Sequence, residues 1–198
     1  MTAARKLEFI SPEEYLASEI NSPVKHEYWN GRIYAMTGGT NNHALITGNL
    51  IIALGRALQG SKCRVYSPDA KIRIRQNLRD TRFYYPDVSV ICKSNPGEQQ
   101  FQDAPVLVAE VLSKSTRRQD DGEKREGYQS IPSLQHYLLV EQDRPAIVHF
   151  GRVGDEFTPE LIEGLDAILE LKSLRITIKL AEVFEGVTFQ AEPDGDEE

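Results

Sequence analysis

The chain has 198 residues, 40% hydrophobic and 27% charged, with a formal net charge of −7. That length suits one domain with a sizeable core, and no Pro/Gly/Ser-rich linker divides it. No run reaches the ~18 apolar residues a membrane helix needs and the N-terminus lacks a signal-peptide core, so the expected location is cytoplasmic with no membrane partner.

Ser11-Pro12-Glu13-Glu14 reads as a capping box with proline at the first helical position, so a short helix should run to about Ile20. Lys25 to Trp29 and Arg32 to Met36 flank Asn30-Gly31, the strongest two-residue hairpin signal. Ile46, Leu50, Ala53, Leu54, Ala57 and Leu58 recur at helical spacing, which predicts a core-facing helix from about His43 to Leu58, with Asn41 or Asn42 as its cap. Short strands are expected at Arg64 to Tyr66, Ala70 to Arg75 and Arg82 to Tyr85. Val88 to Ile91 and Pro105 to Leu112 read as two further strands around the polar loop Cys92 to Ala104. A helix capped by Ser115 or Thr116 should last to about Gln129. Strands at His136 to Glu141, Ala146 to Phe150, Phe157 to Ile162 and Ile168 to Leu171 follow, and a helical turn at Leu180 to Phe184 closes the series. The expected fold class is α/β (α+β), with helices packed on a central mixed sheet. Residues 1–190 form the expected single domain, and 191–198 an acidic tail. Cys63 and Cys92 fit no metal-ligand spacing and are expected to be free thiols used for packing.

The chemistry lies in two apolar runs, each interrupted by one acid. Asp87 falls in Tyr84-Tyr85-Pro86-Asp87-Val88-Ser89-Val90, and Glu110 in Leu107-Val108-Ala109-Glu110-Val111-Leu112. A carboxylate inside a buried strand is costly to desolvate unless something binds it. In an antiparallel pair the numbers of facing residues sum to a constant, so setting Ile91 opposite Val106 puts Asp87 opposite Glu110. Cross-strand Cβ atoms lie about 4.5–5.5 Å apart, close enough for both carboxylates to hold one hard cation. The backbone carbonyl of Val111 is a plausible third oxygen ligand.

The charge distribution fits a phosphodiester partner better than its total suggests. The segment 191–198 carries five acids and no base, leaving the rest of the chain near −2. Lys71, Arg73, Arg75, Arg79 and Arg82 cluster before the first acid, and Lys114, Arg117, Arg118, Lys124 and Arg125 follow the second. A basic rim around an acidic centre is what cleavage of a nucleic-acid backbone requires. Leu112, two residues after Glu110, cannot supply the usual assisting ammonium, which leaves Lys114 and Lys124. In a helix starting near Ser115, Asp120, Lys124 and Tyr128 share one face at i, i+4 and i+8.

These residues resemble the PD-(D/E)XK nuclease superfamily and, within it, the large bacterial family described as putative restriction endonucleases. The resemblance spans roughly residues 8–186 and rests on Tyr85-Pro86-Asp87, Glu110-Val111-Leu112-Ser113-Lys114-Ser115-Thr116, then Asp120, Lys124 and Tyr128. Glu27, His43 and Asp69 are supporting matches. The resemblance implies a restriction-endonuclease-like core, a Mg²⁺-dependent endonuclease (Mn²⁺ substituting) acting on DNA, and a homodimer. It implies that the catalytic lysine has moved to Lys124, oriented by Asp120 and Tyr128, with Glu27 as a further metal ligand. Lys114 stands where the family generally carries proline and is a second candidate lysine. The competing reading is an inert nucleic-acid-binding or dimeric scaffold on the same fold.

Overall fold

The computed structural model describes residues 9–36, 38–77, 80–113 and 120–189. Helix α1 (Pro12–Glu19) starts at the expected capping box: Ser11 Oγ accepts from the Glu14 N–H at 3.2 Å, and the Glu14 carboxylate accepts from the Ser11 N–H at 2.8 Å. Strands β1 (His26–Trp29) and β2 (Arg32–Ala35) pair antiparallel across Asn30 and Gly31, both left-handed at φ 43° and 84°. Two successive positive φ values are what a type I′ hairpin turn demands. Helix α2 (Asn41–Ala57) begins two residues earlier than expected, because Thr40 is the cap: its hydroxyl accepts from the His43 N–H at 3.1 Å. Its apolar stripe is buried as predicted, except that Ala57 faces solvent.

The remaining strands are β3 (Arg64–Tyr66), β4 (Lys71–Asn77), β5 (Asp80–Tyr84), β6 (Val88–Ile91), β7 (Phe101–Gln102), β8 (Pro105–Val111), β9 (His136–Val140), β10 (Ala146–Val153), β11 (Glu156–Glu163), β12 (Ile168–Leu171) and β13 (Ile176–Lys179). A π-helical turn (Asp120–Lys124) leads into α3 (Arg125–Gln129), and α4 (Leu180–Val183) follows β13. The class is the mixed α+β one expected, with a difference: the main strands divide between two sheets, ordered β2-β1-β5-β4-β7 and β11-β10-β9-β8-β6-β3. Strand β5 therefore does not continue into β6. The chain leaves one sheet at Tyr84 and joins the other at Val88, and Pro86, with no N–H to offer a ladder, sits in the step.

Alternation along β8 sorts the layers. Leu107, Ala109 and Val111 face α2 in a core shared with Val88, Val90, Leu138, Val140 and α4. Val108 and Leu112 face the other way, toward Ile72, Ile74 and Tyr84 of the first sheet and Tyr128 of α3. Glu110 shares that second parity and points into the layer between the sheets. Helix α1 covers the far side of the first sheet through Tyr15, stacked on Tyr28 at 5.0 Å and tilted against Phe83 at 5.3 Å.

The cysteines correct the free-thiol expectation: Cys63 and Cys92 form a disulfide, and no described cysteine is free. Antiparallel β3 and β6 pair Arg64 with Ile91, so the next facing pair outward is Cys63 with Cys92. Among the described residues no helix is long and apolar enough to cross a membrane.

Candidate active site

The β6–β8 register brings the two acids together, though by another route than the one assumed. Val88 faces Ala109, Ser89 faces Val108 and Val90 faces Leu107, so the next step sets Asp87 opposite Glu110. Ile91 faces Pro105 rather than Val106, because a bulge between Val90 and Ile91 absorbs one residue. The pairing that motivated the register is displaced, while the register at the acids is unaffected.

Asp87 stands in the step between the sheets. Its Oδ2 accepts from the Val111 N–H at 2.7 Å and lies 3.2 Å from His43 Nε2, on the first turn of α2. Both peptide groups of Val111 face this side. The Leu112 N–H donates to Val140 O on β9 at 2.8 Å, and the Val111 carbonyl, trans across that peptide, points the opposite way, toward β6.

Lys124, at the end of the π-helical turn, reaches into the inter-sheet layer. Its Nζ lies 2.8 Å from Glu27 Oε1 and 3.7 Å from Glu110 Oε1, and 5.6 Å from the centre of the Tyr84 ring. Glu27 comes from β1, on the same parity as its cross-sheet neighbour Tyr84, and also accepts from the Tyr85 N–H at 3.3 Å. These three charged side chains are at most 8% exposed. Two carboxylates and one ammonium buried together are stable only as a set. Tyr128, one turn after Lys124, is fully buried. Burial pushes its hydroxyl pKa well above the ordinary tyrosine range, and the negative charges of Glu110 and Glu27 push it further. Single π-helical turns recur at functional sites. Here one replaces the regular helix expected around Asp120 and Lys124.

The structure therefore brings together Asp87, Glu110, Val111, Glu27, Lys124, His43 and Tyr128. Asp69 lies elsewhere: it pairs with Lys25 on the surface, which lowers its carboxyl pKa. Lys114 falls outside the described residues, as do the expected Ser115 or Thr116 cap, Arg79, Arg117, Arg118 and the segment 191–198; only the backbone of Asp120 is described. Among its described residues, the expected basic rim is largely spent within the fold. Arg73 makes a two-pronged bond to Asp103 at 2.7 and 2.8 Å, and Arg82 makes one to Asp80 at 3.0 Å. Lys71 is buried against the Tyr15 and Tyr85 rings at 5.1 and 5.5 Å, and desolvation lowers its pKa.

Among the described residues no three His, Cys, Asp or Glu side chains gather into a metal cage. The donors present nonetheless suit a hard divalent cation. Such an ion takes one or two carboxylates, a carbonyl oxygen and retained waters, and Asp87, Glu110 and the Val111 carbonyl are the oxygens that would supply the protein's share.

Sequence reasoning missed Gln142, in the turn between β9 and β10. Its amide donates to Leu112 O at 2.6 Å and accepts from the Thr40 hydroxyl at 2.5 Å, joining the end of the Glu110 strand to the start of the His43 helix. Nothing in its local sequence signals this, because both partners are distant along the chain.

The two-sheet α+β fold has a solved counterpart. A putative nuclease belonging to DUF820 from Anabaena variabilis superposes with a TM-score of 0.70 over 90% of this chain and 99% of that one, at 16% identity, so the fold is nuclease-like. The chain belongs to the Uma2 family, described as "Putative restriction endonuclease", whose model matches residues 12–181. Two uncharacterized proteins of Synechocystis sp. are relatives. The one named slr1290 is 37% identical over 91% of this chain and 94% of its own length. The one named sll1609 is 30% identical over 89% and 100%.

Proposed function

We propose that this chain is a divalent-metal-dependent endonuclease that hydrolyses DNA phosphodiester bonds. One observation carries the reading: Glu110, Glu27 and Lys124, buried together, and Asp87, part-buried beside Glu110, come from four separate segments and meet at the seam of two sheets with more negative charge than Lys124 alone can offset. Buried charges of both signs far apart in sequence are expensive to assemble for structure alone. Family membership and the nuclease-like fold agree with it.

In this reading Asp87, Glu110 and the Val111 carbonyl hold Mg²⁺ or Mn²⁺, with Glu27 as a further ligand. The bound ion supplies an acidified water and neutralises charge on the phosphate. His43 and the Val111 N–H fix the rotamer of Asp87. Glu27 and Glu110 hold the Lys124 ammonium between the sheets beside the metal ligands, where it is available to the attacking water or to a non-bridging oxygen. Tyr128 and Tyr84 wall the ammonium from bulk water. Residues 1–190 act as one domain, and the homodimer and a cytoplasmic location belong to the same proposal.

Calorimetric titration with Mn²⁺ tests the site directly. The parent should bind and Glu110→Ala should not; equal affinity in the two would remove Glu110 from the ligand set.

A further inference from the structure

We infer that Gln142 is a positioning residue for the metal site, acting through a closed ring of hydrogen bonds that holds Asp87 from two sides; this rests on the metal-dependent reading above. The ring can be followed bond by bond. The Val111 N–H donates to Asp87 Oδ2 at 2.7 Å, and the next residue, Leu112, offers its carbonyl to Gln142 Nε2 at 2.6 Å. Gln142 Oε1 accepts from the Thr40 hydroxyl at 2.5 Å, and Thr40 Oγ1 accepts from the His43 N–H at 3.1 Å. His43 Nε2 then returns to Asp87 Oδ2 at 3.2 Å.

Every direction in this ring is fixed. Thr40 Oγ1 accepts from a backbone N–H and so turns its own proton to Gln142. The glutamine oxygen must face that proton, and its NH₂ group must face Leu112. A second tie reinforces the joint, from Asn42 Nδ2 to the Gln142 carbonyl at 3.5 Å; the same amide donates to Thr188 O at 3.0 Å.

The ring spans three elements remote in sequence: the cap of α2, the end of β8 and the β9–β10 turn. Leu112 stands at the position where the superfamily signature carries its lysine. Here its side chain packs in the core between the sheets, and its carbonyl takes the tie from Gln142. Fixing that carbonyl and the Leu112 N–H together fixes the Val111 carbonyl, and fixing Thr40 fixes the His43 ring over Asp87. Groups that orient metal ligands in this way typically change metal affinity or activity by 10–100-fold when removed.

The test compares the parent with Gln142→Ala, Thr40→Val and Thr40→Ser, by calorimetric Mn²⁺ affinity, by plasmid cleavage resolved into kcat and KM, and by metal-free melting temperature. Gln142→Ala and Thr40→Val should each weaken Mn²⁺ binding and kcat by about 10–100-fold with KM for DNA unchanged. Thr40→Ser, which keeps the hydroxyl, should recover the loss. The double variant should be no worse in Mn²⁺ affinity than the weaker single one, because either change opens the same ring. A lowered melting temperature with parental Mn²⁺ affinity and kcat in Gln142→Ala would overturn the inference, leaving that residue a simple turn brace. A parent that binds no Mn²⁺ would overturn the metal-dependent reading itself, and this inference with it.

Discussion

Replacing Lys124 with methionine probes the buried charge cluster most sharply. Methionine keeps much of the side chain's length and apolar stem but leaves Glu27 and Glu110, 8% and 4% exposed, without their ammonium. Removing one partner of a buried ion pair costs about 3–5 kcal/mol, because the remaining charge stays desolvated. In a chain of this size each kcal/mol moves the melting temperature by about 2–4 °C, so the metal-free variant should melt roughly 6–20 °C below the parent. A divalent cation can replace the lost charge. Melting followed by circular dichroism, first with chelator and then with rising Mn²⁺, should show a larger metal-induced gain in the variant than in the parent. At 100 times its dissociation constant a native-state ligand contributes about 2.7 kcal/mol. A metal-free variant that melts with the parent, or one that gains nothing from Mn²⁺, would refute the claim that these carboxylates share a cation site with Lys124.

Further outcomes follow from other parts of the fold. His136 and His149 are buried with ring nitrogens 2.9 Å apart, and His136 Nε2 lies 2.8 Å from Ser173 Oγ. Burial, and then the neighbouring His149, hold the His136 pKa down to about 4 from 6.5, and burial also lowers that of His149, against Glu160 and with Lys172. The unfolded chain therefore takes up a proton that the folded one refuses between those values. Stability is complete above about pH 6.5 and falls toward pH 4 by about 3 kcal/mol, which urea unfolding at a series of pH values checks; an acid loss unchanged in His136→Phe would count against it. Ser11→Ala removes the capping box and should cost about 1 kcal/mol in the same assay, with activity unchanged. Reducing Cys63–Cys92, which closes a separation of 29 residues, should cost about 3–4 kcal/mol; thiol titration of the unreduced, unfolded chain should find no free sulfhydryl.

How far the sequence carried the argument depended on whether the signal was local. The capping box at Ser11 and the Asn30-Gly31 turn are short-range chemistry, and both stand where expected. Asp87 and Glu110 were conspicuous because an acid in an apolar strand contradicts its surroundings. The division into two sheets was not legible, because only three residues separate β5 from β6 and only the partners of each strand decide its sheet. The π-helical turn replaces an α-helical spacing that pattern alone cannot distinguish. The disulfide depends on the pairing of β3 with β6, which sets Cys63 opposite Cys92 and which the spacing of the two cysteines along the chain does not reveal. Gln142 and the His136–His149 pair are long-range contacts between residues that look ordinary in their own neighbourhoods.

Cleavage of supercoiled plasmid and of single-stranded circular DNA by the purified protein, with Mg²⁺ and then Mn²⁺, beside Asp87→Ala, tests the central claim most directly. The account predicts metal-dependent nicking by the parent, abolished in a variant that remains folded. Cleavage by Asp87→Ala at the parental rate would contradict the assigned site. A parent that binds DNA but neither binds metal nor cuts would make this chain an inert binding scaffold on a nuclease-like fold.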